Sequence, residues 1–136
     1  MGFTLDSRLA ADSFYITDLP LSQLRLLNNK RFPWLLLVPM VADAVEWIDL
    51  SRDQQHQLAD EITICSHFFQ ALVTPDKLNI ATLGNQVSQL HIHLIGRYKG
   101  DAAWPDPVWG KDSTPYDDAE RDKFIYDIKS ALQSVF

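Results

Sequence analysis

The sequence predicts an α+β protein with an antiparallel five-stranded sheet, one long crossing helix and a C-terminal helix. Three observations support this: short apolar runs cluster before residue 40, a long helical stripe follows them, and two more strand-like runs precede a final amphipathic segment. Strands grouped along the chain with a helix crossing between the groups favour an antiparallel sheet with segregated helices. The chain of 136 residues is expected to be a single domain over residues 1–136.

Three strands are expected before the long helix. Residues 14–19 and 24–27 are apolar runs of strand length, and the Asn-Asn pair at 28–29 then supplies turn residues that tolerate left-handed backbone. Residues 34–38 read Trp-Leu-Leu-Leu-Val, a continuous apolar run. Such a run predicts a central strand that is buried on both faces.

The main helix is predicted over residues 51–73. Ser51 and Gln54 have the spacing of a capping box, and Thr74-Pro75 ends the helical pattern. The helix is amphipathic, because its apolar residues recur at helical spacing and form one stripe. They are Leu58, Ile62, Cys65, Phe69 and Leu72.

Two further strands, 77–83 and 87–97, are predicted to form a hairpin whose turn is Gly84-Asn85. Residues 100–116 are rich in Pro, Trp, Asp and Gly and have no regular period. A connection of that length is expected to cover something.

The C-terminal helix is predicted over residues 115–135, with Thr114 as its cap and Pro115 in its first turn. The acidic run that begins at Asp117 suits the positive end of a helix dipole. Ile125, Ile128, Leu132 and Val135 give this helix its apolar stripe.

Composition excludes several classes of partner. The formal net charge is −6, which argues against a nucleic-acid partner, because such proteins carry a basic surface. The longest apolar run is too short to span a bilayer, so no membrane partner is expected. Cys65 is the one cysteine and cannot form an internal disulfide, which indicates a reduced compartment and a cytoplasmic location.

The stretch Ser-Gln-Leu-His-Ile-His-Leu-Ile at residues 88–95 carries the chemistry of the sequence. Side chains alternate between the two faces of a strand, so Gln89, His91 and His93 are predicted to share one face. The alternate positions, Leu90 and its apolar neighbours, would face the core. A polar stripe of three residues therefore lies on one side of an otherwise buried strand.

Three interpretations of this stripe are open. It could simply face water. It could bind zinc, although His56 and His67 point away from the core side of the long helix and Cys65 lies on that core side. It could perform nucleophilic catalysis, because neutral imidazole is a good nucleophile near pH 7.

The strand Gln-Leu-His-Ile-His-Leu-Ile resembles the signature of the histidine triad (HIT) superfamily, in which three histidines alternate with apolar residues. The surrounding sequence resembles a bacterial branch related to dinucleoside polyphosphate hydrolases. The resemblance implies that His91 attacks the α-phosphorus of a nucleotide and forms a covalent nucleotidyl-histidine, which water cleaves. His93 would contact the phosphate. Gln89 replaces the first histidine, and its amide cannot titrate.

The same resemblance implies a purine nucleotide or nucleotide conjugate as ligand, no cofactor, no bound metal and a homodimer. Asn28 is the expected ribose contact, and Asn85 and Gln86 are the expected phosphate contacts. Many members carry a histidine just before the third strand, and this chain has Leu35 or Trp34 at that position. The predicted enzyme is a nucleotide hydrolase; the alternatives are a nucleotidyltransferase of the same superfamily and a non-catalytic nucleotide-binding protein.

Three other residues are candidates for the site's surroundings. Arg97 follows the histidines and could steer a polyphosphate tail or lie as ordinary solvated surface. Trp104 and Trp109 could close over the site, meet a second subunit, or pin a long loop to a small apolar cluster.

Overall fold

The computed structural model describes residues 2–135. Within these residues, the fold consists of five strands, three α-helices and one short 3₁₀ turn. In chain order they are α1 (Ser7–Asp12), β1 (Ser13–Asp18), β2 (Ser22–Leu27), β3 (Trp34–Pro39), the 3₁₀ turn Trp47–Asp49, α2 (Arg52–Val73), β4 (Lys77–Ala81), β5 (Ile92–Arg97) and α3 (Asp118–Gln133).

The five strands form one antiparallel sheet in the order β1-β2-β3-β5-β4. This confirms the predicted α+β fold. Strand β3 lies at the centre and is buried along its whole length, as its continuous apolar run predicts. It pairs with β5 so that Leu36 lies opposite His93, which places the histidine over the middle of the sheet.

Helices α2 and α3 cover one face of the sheet, which we call the helix-covered face. Its core is aliphatic and aromatic, with Leu24, Leu37 and Leu94 from the strands packed against Leu58 and Ile128 of the helices. The capping box of Ser51 and Gln54 is present at the start of α2, as predicted.

Glu61 is the charged residue buried within this face. Its carboxylate accepts hydrogen bonds from the backbone N–H groups of Leu21 at 2.7 Å and Ser22 at 3.0 Å. The helix thereby caps the turn between β1 and β2, because a buried carboxylate must be matched by donors.

The opposite face, which we call the cleft face, has no long helix over it. It is covered by the N-terminal segment, residues 2–12, and by the irregular segment after β5, residues 98–117. Leu9, Ala103 and Val108 from these segments pack on Leu36 and Ile95 of the sheet. Irregular segments leave room for a cavity where they meet, which two close-packed helices do not.

Several local predictions are wrong. Strand β5 begins at Ile92 and not at residue 87, and β4 and β5 are joined by residues 82–91 and not by a two-residue turn. Helix α3 begins at Asp118, because a capping box of Asp117 and Glu120 replaces the expected Thr114 cap. Helix α1 was not expected.

Within residues 2–135, none of the helices has the length and hydropathy that a bilayer-crossing segment requires.

Candidate active site

A cavity of about 350 Å³ opens on the cleft face at the start of β5. Strands, the 82–91 connection and both covering segments each contribute to its wall. The lining residues include Leu9, Asp12, Leu27, Trp34, Asn85, Gln86, His91, His93 and Trp109. Four of the residues predicted for the site, namely His91, His93, Asn85 and Gln86, thus meet in one cavity.

A second cavity of about 400 Å³ adjoins the first, and the two share Asp12, Leu27, Trp34, Trp109 and Gly110. The predicted ribose residue Asn28 lines this second part. A smaller polar pocket of about 190 Å³ lies beside His91 and shares His91 and Asn85 with the first cavity. The arrangement is an elongated cleft with the histidines near one end.

The His91 ring has a defined orientation. Its Nδ1 lies 2.6 Å from the backbone carbonyl oxygen of Gln89, and the side chain is 5% exposed. A carbonyl oxygen can only accept a hydrogen bond, so Nδ1 carries the proton when the ring is neutral. The lone pair is then on Nε2, which is the state a nucleophilic imidazole requires.

The His93 ring is held from the opposite side. The indole Nε1–H of Trp34 donates to His93 Nδ1 at 3.0 Å, and His93 Nε2 lies 3.3 Å from the carbonyl oxygen of Leu83. Burial of the ring, together with the neighbouring His91, lowers the pKa of His93 to about 4. His93 is therefore neutral at pH 7.

Aromatic contacts fix the two rings against each other and against the loop after β5. The ring centroids of His91 and His93 are 4.8 Å apart, and Trp109 meets His93 edge-to-face at 5.1 Å. Trp34 and Trp109 are perpendicular at 6.0 Å. Trp109 therefore closes over the cavity, which is one of the roles expected for this loop.

Gln89 does not line the cavity that holds His93. Its side-chain oxygen accepts from the backbone N–H of Asp6, and its side-chain NH₂ donates to the carbonyl oxygen of Thr4, both at 2.8 Å. Gln89, at the first triad position, thus ties the N-terminal segment to the chain just before His91. The prediction that Gln89, His91 and His93 share one face of a strand is wrong for the first two residues, because regular strand structure starts only at Ile92.

The connection between β4 and β5 is tightly folded beside His91. A methyl group at Gly84 would lie 2.7 Å from the carbonyl oxygen of Val87 and 3.7 Å from Cε1 of His91. Only glycine fits there without a backbone shift. The close approach brings the exposed amides of Asn85 and Gln86 to the cavity wall.

Asn28 and Asn29 hold the segment that precedes α3. The side-chain oxygen of Asn28 accepts from the backbone N–H of Tyr116 at 2.9 Å, and that of Asn29 accepts from Arg31 at 3.1 Å and from Thr114 at 3.3 Å. Both amides therefore have structural partners. Both residues line the second cavity, and Asn28 is half-buried whereas Asn29 is buried, so the NH₂ group of Asn28 is the more accessible to a ligand there.

Asp12 is a cleft residue that the sequence did not suggest. It is the last residue of α1, it is exposed, and it lines both parts of the cleft. A carboxylate at the C-terminal end of a helix is electrostatically unfavourable, so Asp12 does not stabilise α1. An apolar stripe of Leu5 and Leu9 ahead of it was the available signal for the helix that carries it.

The structure contradicts both predictions for Arg97, which were that it steers a polyphosphate tail or lies at the solvated surface. Its side chain is 2% exposed, and its Nε and Nη2 donate to Asp101 at 2.8 and 3.1 Å. Its guanidinium also lies over the rings of Phe32 and Trp104. Arg97 is an internal clamp for the loop after β5, and Trp104 belongs to this clamp and not to the cleft.

The partner carboxylate, Asp101, is fixed as an anion. Burial opposes its charge, but hydrogen bonds from Arg97 and from the backbone N–H groups of Tyr98, Ala103 and Trp104 outweigh that cost. The pKa of Asp101 consequently lies well below its usual range.

Within residues 2–135, no three His, Cys, Asp or Glu side chains are grouped so that they could hold one metal ion. His56 and His67 are exposed on α2, as predicted, and thus lie on the other side of the sheet from His93. Burial raises the pKa of the Cys65 thiol to about 12.

Comparison with known proteins agrees with this arrangement. The model of the HIT domain matches residues 8–100. A search of curated proteins found no match.

Three solved structures are close over nearly the whole chain. A histidine triad protein from Bradyrhizobium japonicum is 47% identical with a TM-score of 0.94, covering 97% of this chain and 99% of that one. One from Sinorhizobium meliloti 1021 is 41% identical with a TM-score of 0.92, covering 95% and 96%. One from Marinobacter aquaeolei VT8 is 37% identical with a TM-score of 0.95, covering both chains fully at 100%. The chain therefore belongs to the HIT domain family.

Proposed function

We propose that the protein is a nucleotide hydrolase that acts at the α-phosphate of nucleotide conjugates through a covalent adduct on His91. The observation that supports this most directly is the hydrogen bond from His91 Nδ1 to the Gln89 carbonyl, which leaves the Nε2 lone pair free at the wall of a cavity. A ring held in that tautomer needs no proton removed before it attacks.

In the first step Nε2 of His91 attacks phosphorus, and the bond from phosphorus to the leaving group breaks. The leaving group departs with the bonding electron pair and takes up a proton from water. In the second step water adds to phosphorus, the N–P bond breaks with its electron pair returning to Nε2, and the proton of the water is released. Donors on the cavity wall, namely His93 Nε2–H and the amides of Asn85 and Gln86, stabilise the charge on the phosphoryl oxygens.

The nucleoside is placed in the second part of the cleft. Asp12 and the NH₂ group of Asn28 line that part and together offer an acceptor and a donor for the ribose hydroxyls. Leu27 and the ring of Trp109 supply apolar surface for a purine base.

The charged residues that line the cleft favour some leaving-group charges over others. The residues lining the two pockets that contain His91 include Asp12 and Glu46 and no lysine or arginine. A cation at the rim, Arg8, donates to the Gln86 carbonyl oxygen at 3.3 Å. A polyphosphate tail such as that of a dinucleoside polyphosphate would carry several negative charges into these walls. Within the proposed class, substrates whose leaving group is uncharged or cationic, such as an amine, fit the site better.

The test is a search for the adduct. The purified protein is mixed with adenosine and guanosine phosphoramidates and dinucleoside polyphosphates, quenched without acid, digested and analysed by mass spectrometry. A mass increase of one nucleotide on the peptide that contains His91 is expected. The His91→Ala variant should show no adduct and at least about a thousandfold lower kcat, with nucleotide affinity largely kept; His67→Ala, on α2, is the matched control.

The outcomes separate the alternatives. An adduct that is discharged faster by added phosphate than by water would indicate a nucleotidyltransferase. Nucleotide binding without any adduct would indicate a non-catalytic binding protein, and an adduct on another residue would refute the role given to His91.

A homodimer is proposed on the family resemblance, and one feature supports it. Strand β4 is at the edge of the sheet, and Ile80 on it is 52% exposed. An exposed apolar edge strand favours pairing with another chain. Light scattering should give the mass of two chains, and Ile80→Lys should shift the protein to monomer.

A further inference from the structure

In the hydrogen bond between Trp34 and His93, the indole of Trp34 can only be the donor. Trp34 lies on β3 and His93 on the neighbouring β5, and the indole Nε1–H donates to His93 Nδ1 at 3.0 Å in a buried position. Indole nitrogen is a donor only, and it does not titrate in the range where proteins are folded. Trp34 therefore requires a lone pair on His93 Nδ1.

The requirement on Nδ1 determines the state of Nε2. A neutral imidazole has one protonated and one unprotonated nitrogen, so a lone pair on Nδ1 places the proton on Nε2. That proton points to the carbonyl oxygen of Leu83 at 3.3 Å, a long contact that an anionic phosphoryl oxygen can replace. Leu83 and His93 both line the cavity that contains His91.

We infer that Trp34 is a positioning residue, whose indole N–H holds His93 in the neutral Nε2–H tautomer so that His93 serves as a fixed hydrogen-bond donor to the substrate and not as an acid or base. The identity of the acceptor as a phosphoryl oxygen rests on the proposed function. The tautomer does not, because the protein alone determines it.

The surroundings of His93 support this state. The other titratable groups that line the cavity are His91 and Asp12. Burial of the ring and the neighbouring His91 lower the pKa of His93 to about 4. Protonation would also set an N–H on Nδ1 against the N–H of Trp34, two donors facing each other. His93 Nε2 therefore keeps its proton and remains a hydrogen-bond donor at neutral pH.

The first test uses the wild-type protein without substrate. In protein labelled with ¹⁵N, a scalar coupling between Trp34 Nε1 and His93 Nδ1 across the hydrogen bond is expected. The ¹⁵N shifts of His93 should show a protonated Nε2 and an unprotonated Nδ1 from pH 5 to 8. A His93 ring protonated on Nδ1, or one that titrates near pH 6.5, would overturn the inference.

The second test compares two tryptophans. Trp34→Phe removes the hydrogen-bond donor and keeps an aromatic ring. Trp109→Phe is the matched control. The ring centroids of Trp109 and His93 are 5.1 Å apart, but within residues 2–135 Trp109 makes no hydrogen bond to His93. Trp34→Phe should give mixed tautomers, a pKa of His93 that is higher by about 1, and a kcat that is roughly tenfold lower with KM changed less than about threefold. Trp109→Phe should leave the tautomer unchanged.

An unchanged tautomer in Trp34→Phe, or the same change in both variants, would refute the positioning role. Should the tautomer behave as expected while no adduct forms on His91, the proposed function fails and the inference about Trp34 stands.

Discussion

The two faces of the sheet are covered by different means. The helix-covered face is packed with aliphatic and aromatic side chains under two regular helices, and Glu61 is its one buried charge among the described residues. The cleft face buries His91, His93, Arg25 and Arg97 under irregular chain. The difference follows from backbone chemistry, because a helix has used its own hydrogen-bonding groups whereas a loop has them free to pair with buried polar side chains.

On the cleft face, each of these four side chains has a hydrogen-bond partner, either a backbone group or another side chain. Arg25 donates to the backbone oxygen and the hydroxyl of Ser13, and His91 donates to the carbonyl oxygen of Gln89. Arg97 donates to the Asp101 carboxylate, which also accepts hydrogen bonds from three backbone N–H groups of the loop. One face thus specifies the fold, and the other holds functional groups at defined positions.

The largest expected effect is on the clamp of the cleft face. Asp101→Ala leaves the Arg97 guanidinium buried without its partner, and the free energy of unfolding should fall by about 3–5 kcal/mol. Urea unfolding followed by circular dichroism measures it. Asp106→Ala is the control, because Asp106 pairs with Lys111 at the surface and should cost less than about 1 kcal/mol. Equal losses would mean that the buried pair is not a clamp.

The second effect is a pH dependence that originates on the cleft face. The pKa of His93 is lowered to about 4 in the folded protein, whereas it is near 6.5 in the unfolded chain. The unfolded state therefore binds more protons between these values, and stability that is fully present above pH 6.5 is lost as pH falls toward 4.

The loss should be on the order of 3 kcal/mol for this one group. Unfolding free energies at several pH values should show a shallower slope in His93→Gln than in the wild type. His56→Gln, on the exposed side of α2, should keep the wild-type slope. An identical slope in all three proteins would contradict the lowered pKa.

The third effect is on substrate choice. If Asp12 accepts a hydrogen bond from a ribose hydroxyl, the wild type should prefer a ribonucleotide substrate to its 2′-deoxy analogue by roughly tenfold to a hundredfold in kcat/KM. Asp12→Ala should lose this preference, and Asp18→Ala, away from the cleft, should retain it. A preference unchanged in Asp12→Ala would assign the ribose to Asn28 alone.

The smallest expected effect is on the helix-covered face. Cys65 is fully buried there, and burial raises the pKa of its thiol to about 12, so the native protein should not react with a thiol reagent at pH 8. Ser113→Cys places a thiol at the exposed rim of the cleft and should react at once. Comparable rates at the two positions would show that the helices open readily.

Sequence reasoning succeeded where the pattern is local. The alternation of apolar residues, the capping box at Ser51 and the run at residues 34–38 each depend on near neighbours along the chain, and the five strands and two long helices follow from them. The two histidines were identified in the same way, from residues two apart.

The failures concern contacts between distant segments. Arg97 looks like a surface residue until Asp101 folds back on it, and the amide of Gln89 looks free to bind a ligand until the N-terminal segment binds it. Asp12 reaches the cleft only because α1 lies across the sheet. No local period encodes such pairings, and so the lining of the cleft was less predictable than its histidines.

The matched family segment ends at residue 100, while Trp109 and Gly110, which close the cleft, come after it. Both histidines and most of the cavity wall therefore lie inside the matched segment, and the part of the wall formed by Trp109 and Gly110 lies beyond it. Mutation can reshape this part of the wall without disturbing β5 and the two histidines. Diversification of this scaffold toward new conjugates would thus proceed through the loop behind the strand, at little risk to the reaction itself.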